Sequence, residues 1–190
     1  MPLPLRRPLF GFALIVVALA PLQRVVAQDA FTPASAKHLR DEYMADLDTV
    51  HVKIMALANA IPADKYTWRP APGVRSISQV LMHVSSEWYY FVPGSVGGKP
   101  PADFGNPKDA EARLDKIVTK KEVIDQLTKS WAYSKAQLLA AEPAKMTGVY
   151  KPWGTTLDGA AFGMAGDMHE HLGQLISYAR MNGVKPPWSK

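Results

Sequence analysis

The sequence predicts an all-α fold, a four-helix bundle, and three observations carry the prediction. Four stretches repeat apolar residues at helical spacing, each with a start or stop signal, and one long Pro/Gly-rich connection separates the second helix from the third. The first stretch, from about Ser35 to Ala60, places Leu39, Tyr43, Leu47, Val50, Ile54, Leu57 and Ile61 along one face. Pro62 ends it, and Tyr66 to Gly73 is a proline-stiffened connection containing Trp68. Ser76 and Gln79 form a capping box that opens a second helix running to about Phe91, with Val80, His83, Glu87 and Tyr90 on its inner stripe.

From Pro93 the chain loses periodicity until about Val118, too long a stretch for a tight turn, and it reads as a crossover loop. Thr119 and Glu122 cap a third helix with Val123, Leu127, Trp131, Ser134 and Leu138 as its core face. Met146 to Thr156 is a second irregular connection. Thr155 and Asp158 resemble a further cap, leading into a last helix that ends at Asn182-Gly183.

The N-terminal residues do not belong to the bundle. Arg6 and Arg7 precede an apolar run, Leu9 to Ala20, followed by Val25-Val26-Ala27. That is the pattern of a secretory signal with cleavage after Ala27. The run is shorter than the roughly 20 residues that span a bilayer, so no stable membrane span is expected once it is removed. Residues 28–190 form the expected domain, exported to the periplasm or secreted. Three of the chain's arginines, Arg6, Arg7 and Arg24, lie in the signal, which leaves the domain +2 of the overall +5. So small an excess, on an exported protein, argues against nucleic-acid binding.

The chain has no cysteine. Disulfides, thiolate zinc sites, iron–sulfur clusters, cysteine nucleophiles and covalently attached haem are all excluded. No Gly-rich phosphate loop is present, so no nucleotide is expected. Any metal must be held by nitrogen and oxygen.

The last helix concentrates the candidate chemistry. At about 3.6 residues per turn, Met164, Asp167, His171, Gln174 and Tyr178 share a stripe, so a carboxylate and an imidazole project from consecutive turns. His169 lies about 200° from His171 on the same geometry and should face elsewhere, an exposed or interface residue like Glu170. On the second helix, His83 and Glu87 stand one turn apart on an otherwise apolar stripe, and buried polar groups need partners. His38 and His51 read as solvated or boundary residues, and Gln174, Tyr178 and Trp153 as hydrogen-bonding or packing groups.

Several segments taken together resemble the DinB/YfiT superfamily of metal-dependent four-helix bundles. They are Ile61-Pro62 through Trp68-Arg69-Pro70 and Gly73, Val80 to Val84 around His83, and His171-Leu172-Gly173-Gln174 running through Tyr178 to Asn182-Gly183 and Pro186-Pro187. The resemblance implies a divalent ion held by one histidine of the second helix and two positions, four residues apart, on the last. By position these are His83, Asp167 and His171, with Asp167 standing where the family has histidine. Two imidazoles and a carboxylate suit zinc, iron, manganese or nickel. Glu87 is then an additional ligand, an acceptor orienting His83, or a base. Asp167 paired with a histidine and no metal is the other reading of the same residues, and haem between His83 and His171 has little to recommend it.

The implied activity is that of a metal-dependent hydrolase or thiol-dependent transferase acting on an unknown small molecule. Export favours hydrolysis, because low-molecular-weight thiols are mainly cytosolic. The alternative is a non-catalytic helical binding or stress protein with an altered metal site. Related bundles imply pairing as a homodimer.

Overall fold

The computed structural model describes residues 32–189, and the expected signal segment 1–27 lies outside the described residues. The described chain is mostly helical, with one two-stranded sheet as its β-structure. Helix α1 (Pro33–Ala60) begins at Thr32, whose hydroxyl accepts from the Ser35 amide while Ser35 bonds back to the cap. Helix α2 (Ile77–Tyr89) opens with the expected Ser76/Gln79 capping box. The short α3 (Phe91–Gly94) follows it directly, and α4 (Pro107–Leu114) lies in the stretch read as a loop. Helices α5 (Lys120–Ala140) and α6 (Leu157–Met181) complete the set. None of the described helices is long and apolar enough to cross a membrane.

The crossover is thus partly helical, which corrects the sequence reading. The signals were present: Asn106 caps the Asp109 amide and Pro107 occupies the first helical turn. What the segment lacks is an apolar stripe, for Ala110 is its one buried residue. Its periodicity is therefore silent, and the helix is held by what it packs on, chiefly α2. A smaller correction concerns α6, whose cap is Thr156, accepting from the Gly159 amide, rather than Thr155. Before it, Val149–Tyr150 (β1) and Thr155–Thr156 (β2) pair antiparallel around Gly154, whose positive φ of 61° suits the turn.

The apolar faces meet as expected. Tyr43, Leu47, Val50, Ile54, Leu57 and Ile61 of the α1 stripe are buried, as are Val123, Leu127, Trp131, Ser134 and Leu138 of α5. α2 packs mainly on α5 and α1 mainly on α6. Small side chains let α2 and α5 come close: Ser85 donates to Ser130 at 2.9 Å inside the core. The helix ends are also served across the fold. Lys120 donates to the carbonyls of Asn59 and Ile61 at 2.6 and 2.8 Å, satisfying the C-terminus of α1, and Arg40 donates to Ala141 O at the end of α5.

α2 is the most enclosed helix, with ten of its residues buried. It has α5 on one side, α4 on another and α6 on a third. That enclosure brings a histidine and a glutamate of α2 against α6.

Candidate metal centre

His83 and Glu87 occupy consecutive turns of α2 and face His171 of α6. The imidazoles of His83 and His171 meet edge to face, with ring centroids 4.9 Å apart. Between them lies the Glu87 carboxylate, its side chain 7% exposed, with Oε1 3.4 Å from His83 Nε2 and Oε2 3.4 Å from His171 Nε2. One ligand atom from each of the three side chains can be chosen so that all lie within 4.8 Å of one another. The two histidines sit at the boundary of the core, so the group is enclosed yet reachable.

The rest of each histidine is differently placed. His83 Nδ1 lies 2.7 Å from Glu111 Oε1 of α4, and Arg75 Nη2 reaches the same oxygen at 2.5 Å. His171 Nε2 is 3.7 Å from Asp167 Oδ2, one turn earlier on α6. Asp167 is the more open of the two carboxylates, 36% exposed.

Burial sets the electrostatics of the centre. Burial pushes the Glu87 carboxyl up to about 7, despite the opposing pull of His171. Burial and then the Arg75 charge hold His83 below the usual imidazole range, against the attraction of Glu111. His171 is also penalised by burial, but Glu87 and Asp167 together hold it above that range. Glu87 Oε2 and His171 Nε2 are both buried without a hydrogen-bond partner, although they approach to 3.4 Å. Leaving such atoms unsatisfied costs roughly 1–3 kcal/mol each. A divalent ion among two imidazole nitrogens and a carboxylate would satisfy them, and that donor set fits zinc, iron, manganese or nickel. The residues present therefore fit a metal.

A family model for the DinB superfamily matches residues 46–175. The chain belongs to the DinB superfamily. The match runs from the middle of α1 to within two turns of the end of α6, and it includes every residue of this centre. Among curated proteins none matches the chain.

In this DinB chain His83 and His171, which the resemblance implied together, lie against each other, and Glu87 is the third converging group. Asp167, expected in that place, stands beside His171 at the rim. Glu87 is buried in the helix interface, and the signal for this was its place on the apolar stripe of α2. Glu111 escaped sequence reasoning, since it lies in a segment without periodicity. His169 faces away and pairs with Asp46 of α1 at 2.9 Å, as its angular offset required. His51 is half-buried and stacks on Trp131 with centroids 4.7 Å apart. Gln174 donates to the Tyr178 hydroxyl at 3.1 Å, and Tyr178 packs edge-on against Trp68.

One turn after Glu87 on α2, and one turn before Asp167 on α6, the neighbours are aromatic. Phe91 stacks on Trp153 with centroids 6.0 Å apart. The Trp153 ring lies over Gly163, where an added Cβ would stand 3.0 Å from it.

Proposed function

We propose that this chain is an exported, metal-dependent hydrolase of the DinB superfamily, acting on a small molecule. In this reading α1, α2, α5 and α6 form the four-helix bundle of the family, with residues 28–190 as the mature domain. The observation that carries it is the convergence of His83 Nε2, His171 Nε2 and the Glu87 carboxylate, two of whose atoms are buried without partners. Glu87 takes the third ligand position, and Asp167, at the open edge beside His171, takes the acid–base role or completes the ligand set.

A divalent ion bound there supplies Lewis-acid polarisation of a coordinated group. The chain's own residues do the rest. Enclosure of Glu87 keeps water from competing for the ligand atoms, and Asp167 can accept or return a proton at Oδ2. The stacked rings of Phe91 and Trp153 lie one turn along the helices from Glu87 and would give an apolar flank to a small molecule bound there. Hydrolysis is preferred to thiol transfer because the proposed export removes the chain from the main pool of low-molecular-weight thiols. Pairing as a homodimer is part of the same proposal by family likeness.

Elemental analysis of untagged protein, with parallel assays of small activated esters and amides, tests the reading. Wild type should carry close to one divalent ion per chain and lose both ion and turnover on chelation. Protein free of metal in every preparation, and not stabilised by added zinc or manganese, would leave a non-catalytic helical binding protein instead.

A further inference from the structure

The two histidines of the centre are anchored unequally. His171 presents Nε2 to Glu87 and Asp167 from its own helix and the facing one, whereas His83 is gripped from outside the long helices. Its Nδ1 lies 2.7 Å from Glu111 Oε1, and Glu111 comes from α4, the eight-residue helix of the crossover. Arg75, just before the cap of α2, reaches the same carboxylate oxygen at 2.5 Å. That oxygen already accepts from the guanidinium, so at 2.7 Å the imidazole is the partner that donates. The hydrogen of a neutral His83 must then sit on Nδ1, which leaves the lone pair on Nε2, the nitrogen facing Glu87 at 3.4 Å.

We infer that Glu111 is a positioning residue: held by Arg75, it fixes the ring and tautomer of His83 so that Nε2 is presented to the centre. The crossover helix is thereby part of the centre, although none of its side chains enters it. The same arrangement, a carboxylate bonded to the far nitrogen of a ligand histidine, strengthens metal sites generally, and its loss costs 10–100-fold in affinity. The inference rests on the metal reading for its consequence but not for its geometry, and the two can fail separately.

The test uses metal-free full-length protein as wild type, Glu111→Gln, Glu111→Ala and Arg75→Ala. Two readouts are taken: zinc affinity by competition with a chromophoric chelator, and the His83 tautomer by nitrogen-15 NMR at pH 8. Glu111 is partly exposed on a surface helix, so the variants should keep the helical circular dichroism of wild type. Glu111→Ala should weaken zinc about 10–100-fold and turn His83 from the Nδ1–H form to a mixture. Glu111→Gln still offers an acceptor and should retain the tautomer with a smaller loss of affinity. If wild type binds no zinc yet its tautomer responds to Glu111→Ala, the positioning role stands and the metal reading falls. If Glu111→Ala changes neither tautomer nor zinc affinity, the inference is overturned, and a fall in melting temperature alone would mark Glu111 as merely structural.

Discussion

Glu87 Oε2 of α2 and His171 Nε2 of α6 lie 3.4 Å apart, both buried and neither hydrogen-bonded. Two buried side chains from different helices thus present unpartnered ligand atoms to each other. The ligand balance follows from that placement. Glu87→Gln and His171→Ala should each abolish stoichiometric metal, whereas Asp167→Ala, at the rim, should weaken binding without abolishing it. Metal content by mass spectrometry after dialysis decides the order, and equal loss in Asp167→Ala and Glu87→Gln would return Asp167 to the inner set.

Raising pH should destabilise the metal-free protein, and the sign can be worked out from Glu87. Its folded-state value is raised by burial to about 7 from an ordinary 4.5, so the folded state holds more protons than the unfolded one between those values. The stability linked to this group is complete below about pH 4.5 and is lost as pH rises through about 7. His171, also held above its ordinary value, adds loss in the same direction. Denaturant midpoints of chelator-treated protein should show Glu87→Gln gaining on wild type between pH 5 and 8, by at most about 3 kcal/mol. A gap that stays constant over this range would refute the assignment.

His51 has the opposite sign. Burial lowers it to about 4, so the unfolded chain takes up its proton first as pH falls below 6.5. Stability linked to it is present above about 6.5 and lost on acidification through about 4. Because the ring is only half-buried, the effect after discounting for solvent is on the order of 1 kcal/mol. His51→Phe, which keeps the stack on Trp131, should flatten this part of the acid limb in thermal melts from pH 7 to 4.5.

Lys120 closes α1 from the start of α5 through two carbonyl bonds. Lys120→Met keeps the alkyl chain and removes both, and should cost about 1–2 kcal/mol in urea unfolding. No measurable loss would mean that water serves those carbonyls equally well.

Export has its own check. Mature protein recovered from outside the cytoplasm should begin at Gln28 in intact-mass measurement. A mass that retains residues 1–27 would overturn the proposed cleavage.

Sequence alone determined the long helices, the caps of α2 and α5 and the core faces, because those features are local. Apolar residues at steps of three and four define α1 and α5 whatever they pack against, and the Ser76/Gln79 capping box sets the start of α2 within one turn. It also brought out His83, Glu87, Asp167 and His171 as the polar groups on inner stripes. Spacing could not rank the two carboxylates, since both lie one turn from a histidine on their own helix, and position in the family put Asp167 rather than Glu87 in the ligand set. Only the way α2 and α6 lie against each other turned Glu87 inward between the imidazoles and left Asp167 at the edge. Tertiary structure likewise decided α4 and its grip on His83: Glu111 lies 28 residues from the histidine in sequence, and a polar helix with one buried alanine has no periodicity to announce it. Spacing along a chain reports which side chains share a face, but the distance between faces belongs to packing.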